Sequence, residues 1–201
     1  MNEHYVHRPI NVILWVVLFA ACTSCASPTP RTTGEPVQLL TPTVPEGATL
    51  CDQCAYMLSY PLDLATDDGM LFQAPDDESV SVLINARRRT DPERDVSLNR
   101  LATQISVQWG APSTAPAFES VKVIDYAGQT LDGIRADFIN DEGQHIRLMI
   151  VVRPQTMLGD QLPDDVVYEI VAQAPEETWP EWASSFEIIF QTFHPKDCGG
   201  V

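Results

Sequence analysis

Positive charge is scarce in this chain. Twelve Lys and Arg stand against 28 Asp and Glu, giving a formal net charge of −16 over 201 residues. Such a surface repels nucleic-acid phosphates, so nucleic-acid binding is not expected. Long apolar runs are also missing: the longest, "VILWVVLFAA" at 12–21, would span only ~15 Å as a helix, about half the hydrocarbon core of a membrane. The sequence has no Gly-x-Ser-x-Gly, His-Glu-x-x-His or phosphate-loop pattern, so nothing local nominates a hydrolase, a metalloprotease or a nucleotide site. Disorder is excluded as well, because 44% hydrophobic and 20% charged residues is a globular composition. No cofactor is implied, and a non-enzyme is the expectation.

The short apolar run suits the h-region of an export signal. It follows the polar stretch 1–11 and ends in Ala20-Ala21-Cys22. This resembles the lipobox of bacterial lipoproteins, with Phe19 where that pattern has Leu. The resemblance implies a signal peptide over 1–21, cleavage before Cys22, diacylglycerol on its sulfur and acylation (palmitate or similar) of the new amine. Two or three acyl chains anchor stably where one binds marginally. The alternative is an ordinary secretory signal cut nearby. Either way the domain lies outside the cytoplasm, in the cell envelope, and the membrane becomes a partner through the lipid. Thr23 and Ser24 follow, with no Asp to favour inner-membrane retention.

Residues 23–49 hold five Pro and seven Thr with little apolar content. That is a linker composition, and 22–50 is read as a tether reaching roughly 80 Å when extended. A globular domain is expected over 51–201. Alternation predicts strands at about 55–60, 70–75 and 79–86, then 120–126, 130–139, 144–153 and 166–175. Leu98, Leu101, Ile105 and Trp109 form one helical stripe ended by Gly110, with Asp91-Pro92 as its start signal. Trp182, Phe186, Ile189, Phe190 and Phe193 form a second stripe, with Pro180 in its first turn and Pro195 past its end. The connections between strands are too short for parallel crossovers. The order βββ-α-ββββ-α therefore predicts an α+β domain with a largely antiparallel sheet of about six to seven strands and two main helices.

The stretch "YMLSYPLDLATDDGMLFQAPDDESVSVLI" and the closing "WASSFEIIFQTF" resemble PsbP-like domains over about residues 54–194. Phe186, Ile189 and Phe193 match the anchors of their last helix, with Thr192 in place of Ser and Asp63 where those domains carry Trp. The resemblance implies an α-β-α sandwich and brings no common active site.

Cys51 and Cys54 make a CxxC, a spacing that serves zinc, redox cycling or a disulfide. No second CxxC or His pair completes a metal site, and outside the cytoplasm disulfides form by default. With Cys22 lipidated, a bond from Cys51 or Cys54 to Cys198 is the favoured pairing, leaving Cys25 with the other CxxC member or free. Acidic residues cluster at Asp63, Asp67 and Asp68, at Asp76, Asp77 and Glu78, and at Asp160, Asp164 and Asp165. They are read as solvated turns ahead of a Ca²⁺ site, since none follows the regular calcium-loop spacing. Arg87, Arg88 and Arg89 are expected to pair with Asp91, Glu93 and Asp95. The sequence thus points to a membrane-anchored, non-catalytic binding or assembly module with an envelope protein partner. The alternative is an extracytoplasmic thiol-disulfide or metal-handling protein using Cys51 and Cys54.

Overall fold

The computed structural model describes residues 43–53, 55–114, 116–154 and 165–196. Six antiparallel strands form the main sheet: β3 (Leu71–Ala74), β4 (Asp77–Arg88), β5 (Phe118–Ile124), β6 (Thr130–Ile139), β7 (Gln144–Arg153) and β8 (Val166–Pro175). Their spatial order is β3-β4-β8-β7-β6-β5. A smaller sheet has β2 (Tyr56–Pro61) between β1 (Ala48–Asp52) and the two-residue β9 (His194–Pro195). Helix α1 (Leu98–Gln108) and helix α2 (Trp179–Thr192) complete the domain.

The two helices cover opposite faces of the main sheet, and strand alternation sorts the core between them. Leu148 and Ile150 of β7 join Val167 and Val171 of β8 under Leu101, Ala102 and Ile105 of α1. Met149 and Val151, one residue out of phase, join Tyr168 and Ile170 under Phe186, Ile189 and Phe190 of α2. The unbroken apolar run 148–152 is what a central strand covered on both sides requires. Each fully buried Leu, Ile or Phe contributes about 1.5–3 kcal/mol relative to exposure. The result is the α+β arrangement expected, with a helix on each face.

Three local expectations are corrected. Asp91-Pro92 does not open α1; it sits in a separate 3-10 turn, Asp91–Glu93. The carboxylate of Glu93 turns back to the Thr90 N–H and hydroxyl and to Arg87, which closes that turn. The helix starts six residues later, where the Ser97 side chain accepts from the Arg100 N–H at 3.3 Å. Strand β1 begins at Ala48, inside the stretch read as tether, because its backbone finds β2: Thr49 faces Tyr60 and Cys51 faces Leu58. After α2, where the sequence reading placed only Pro195 past the helix end, His194 and Pro195 form a further short strand against Tyr56 and Met57.

Candidate functional site

Strand β5 is the outermost strand of the main sheet beyond β6. Within the hairpin, the Asp125 N–H donates to the Gln129 carbonyl at 2.8 Å. Alternation along an antiparallel strand then turns the main-chain groups of Ser120, Lys122 and Ile124 outward, away from β6. Part of that outer edge is engaged by the chain itself. His194 Nδ1 donates to the Ile124 carbonyl at 2.8 Å, and the Tyr126 N–H donates to the Pro195 carbonyl at 2.8 Å. Lys196 follows; its carbonyl accepts from the Tyr168 hydroxyl at 3.0 Å, which ties the same segment to β8.

Upstream of His194 the space beside β5 opens into a groove of about 310 Å³. Four consecutive β5 residues, Val121 to Ile124, form one wall, and Glu187, Phe190 and Gln191 of α2 form the other. Met149 and Phe193 complete an apolar floor, and Arg135 stands with Glu187 on the rim. At Gly133 a side chain would meet Val121 Cγ2 at 3.0 Å and the Ile150 carbonyl at 3.1 Å. The absent side chain is what lets Val121 settle onto β6.

The rim continues into a charged network. Glu187 receives Arg135 at 3.1 Å and Arg147 at 2.9 Å. Arg147 also donates to Asp137 at 2.7 Å, and its guanidinium lies 5.2 Å from the Trp179 ring centre. His145 stacks on Trp179 at 3.8 Å with the rings 2° from parallel. Its Nε2 lies 3.6 Å from Asp137 and makes no hydrogen bond. Burial and the nearby Arg147 hold this imidazole below the usual histidine range, against the opposing pull of Asp137 and Glu176. The charges are committed to one another and pin α2 to the sheet. Sequence reading missed this cluster, although "IRADF" and "HIRLM" alternate so as to place residues 135, 137, 145 and 147 on one face.

The residues singled out from sequence fall elsewhere. Cys51 lies buried in β1 as a free thiol, with the Gln53 amide 3.7 Å from its sulfur. Burial pushes this thiol up; Gln53 opposes that shift, and the Asp52 and Asp68 charges add to it. A thiol held protonated is a poor nucleophile. Cys22, Cys25, Cys54 and Cys198 lie outside the described residues, and so do Asp160 and Asp164. Two acidic turns act locally, Asp68 accepting the Met70 and Leu71 N–H groups and Asp77 accepting from Ser79, while Asp63 reaches across to α2 and accepts from the Ser185 hydroxyl. Among the described residues no group of three or more His, Cys, Asp or Glu is placed to hold a metal. Arg87 pairs with Glu93 as expected and also with Glu169 at 2.8 Å, while Arg89 reaches Asp165 at 3.2 Å. No described helix is long and apolar enough to cross a membrane.

No family model matches the chain, and no curated protein does. Solved structures do. The chain is similar to a cyanobacterial PsbP (CyanoP) from Synechocystis sp. PCC 6803, with 14% identity, a TM-score of 0.42, and 81% of this chain aligned to 100% of that one. It is similar to LpqN of Mycobacterium tuberculosis, described as involved in cell envelope biogenesis, with 14% identity, a TM-score of 0.40 and coverage of 82% and 88%. A protein from Bacteroides thetaiotaomicron VPI-5482 aligns at 15% identity and a TM-score of 0.39, over 72% of this chain and 46% of that one. A PsbP protein is thus among the structures this chain resembles.

Proposed function

We propose that this chain is an envelope lipoprotein, anchored through Cys22 and extracytoplasmic, whose domain is a non-catalytic module that binds a protein partner. The groove between β5 and α2 carries the reading. It has an apolar floor of Val121, Val123, Met149 and Phe193 and a charged rim, and it lies beside β5, the end strand of the main sheet among the described residues. A floor of that kind inside a polar rim is the anatomy of a protein-binding patch. The anchor rests on the apolar run 12–21 that ends at Cys22.

Two measurements test the proposal. Fatty-acid labelling of cells should mark the wild-type protein and leave Cys22→Ser unlabelled; equal labelling removes the anchor. Capture from detergent-solubilised membranes should recover a specific partner with wild type and lose it with Val121→Glu, a variant to be checked for an unchanged melting temperature. The same recovery with both proteins removes the groove.

A further inference from the structure

Helix α2 starts without a side-chain cap. Thr178 stands at its N-cap, but its hydroxyl turns to the Pro175 carbonyl and accepts from no helix N–H. A side-chain oxygen commonly holds a helix start; here ring packing does. Trp179, the first residue of α2, is 7% exposed. Its indole stacks on the His145 ring of β7 at 3.8 Å and meets the Phe186 ring at 5.3 Å.

The imidazole in this stack sits among charges that leave little room for another. Asp137 of β6 lies 3.6 Å from the buried Nε2, which has no hydrogen-bond partner. That carboxylate already accepts from Arg147 of β7 at 2.7 Å and lies 3.7 Å from Arg135 of β6. Glu176, in the turn from β8 to α2, also acts on the ring, and Glu187 of α2 is taken by Arg135 and Arg147. The start of α2 adds the partial positive charge of a helix N-terminus. An indole face attracts a cation, but Arg147 already stands over Trp179 at 5.2 Å. A proton on His145 would set a second cation beside it.

From this geometry we propose that the His145–Trp179 stack is an acid-sensitive latch on α2. The neutral imidazole holds Trp179 and with it the first turn of the helix. Protonation releases that turn, while Glu187, about two turns further on, keeps the rest of α2 on the sheet. Burial foremost, and then Arg147, keeps the ring below the usual histidine range, with Asp137 and Glu176 opposing. A histidine depressed in this way takes its proton more readily once the turn opens. Its contribution is therefore complete above about pH 6.5, the value of a free histidine, and is lost as pH falls below it. The latch needs no partner in the groove.

Amide exchange of the full-length protein, with intrinsic rates divided out, tests the latch. Between about pH 7.5 and about pH 5.5, above the range where ordinary carboxylates titrate, protection at Glu181 to Ser184 is expected to fall at least about threefold. Protection in β7 and β8 is expected to stay constant. His145→Phe keeps a ring against Trp179 and cannot take a proton, so its protection at Glu181 to Ser184 is expected to be equal at both pH values. The same fall in variant and wild type overturns the latch, and so does no fall in wild type. If His145→Phe lowers protection at both pH values, the wild-type ring decides by NMR. Titration of His145 below about pH 6.5, with the Trp179 indole N–H shifting on the same curve, supports the latch. Titration at or above that value, or an indole that does not follow, overturns it.

Discussion

Asp125 is fully buried at the turn between β5 and β6, and its partner Arg153 at the end of β7 is 8% exposed. One carboxylate oxygen receives the Arg153 Nε–H at 3.2 Å and the other receives the Gln129 N–H at 2.8 Å. Asp125→Asn separates these two jobs. The amide oxygen still accepts from Gln129, but the buried guanidinium loses the Asp125 charge. Removing one partner of a buried pair costs about 3–5 kcal/mol. In a domain of this size 1 kcal/mol corresponds to about 2–4 °C, so the melting temperature should fall by about 10 °C. Urea unfolding followed by tryptophan fluorescence measures the loss directly, as a lower midpoint at unchanged slope. Adding Arg153→Met to Asp125→Asn should recover part of the loss, as a coupling of about 1–3 kcal/mol. A single-variant loss under about 1 kcal/mol, or strictly additive losses, would refute the assignment of this pair as the pin of the β5–β6 turn.

The carboxyl of Glu93 is lowered to about 2, chiefly by hydrogen bonds from Arg87 and then from Thr90, with burial opposing. A depressed carboxyl contributes stability that is present above its unfolded value and is lost as pH falls toward about 2. Glu93→Gln should therefore flatten the acid limb of the stability profile below pH 4.5, and an acid limb identical to wild type in urea melts would contradict the sign. Cys51 is buried and its thiol is pushed up. Iodoacetamide at neutral pH should leave it unmodified in the folded protein and label it after unfolding, as read by peptide mass spectrometry; rapid native labelling would restore the redox reading.

The legible part of this fold was the part written in local periodicity. Strands β6, β7 and β8 and the stripe of α2 each carry ten or more residues of consistent pattern, and all lie where that pattern puts them. What escaped depends on distant partners. "ATLCD" becomes a strand only because β2 lies beside it, and His194–Pro195 only because Tyr56 and Met57 do. Asp91-Pro92 carries a good start signal, yet Glu93 is held by Arg87 from β4 and the helix waits for Ser97. The groove escaped for the same reason, since neither β5 nor α2 alone contains it. Of the cysteines, the loudest signal in the sequence, Cys51 alone lies among the described residues, buried in a strand that the tether reading had cut at residue 50.

The segment 194–196 also bears on how the domain is made. Tyr56 pairs with Pro195, about 140 residues further along the chain. Contacts of such separation form late, after the entropy of closing a long loop has been met. The first strands of the domain therefore have no complete sheet to join until its last residues arrive. A chain emerging from a ribosome lacks one strand of its small sheet until its last described residues are made. The small sheet is completed, and tied to the β5 end of the main sheet, only when His194 and Pro195 settle between β2 and β5.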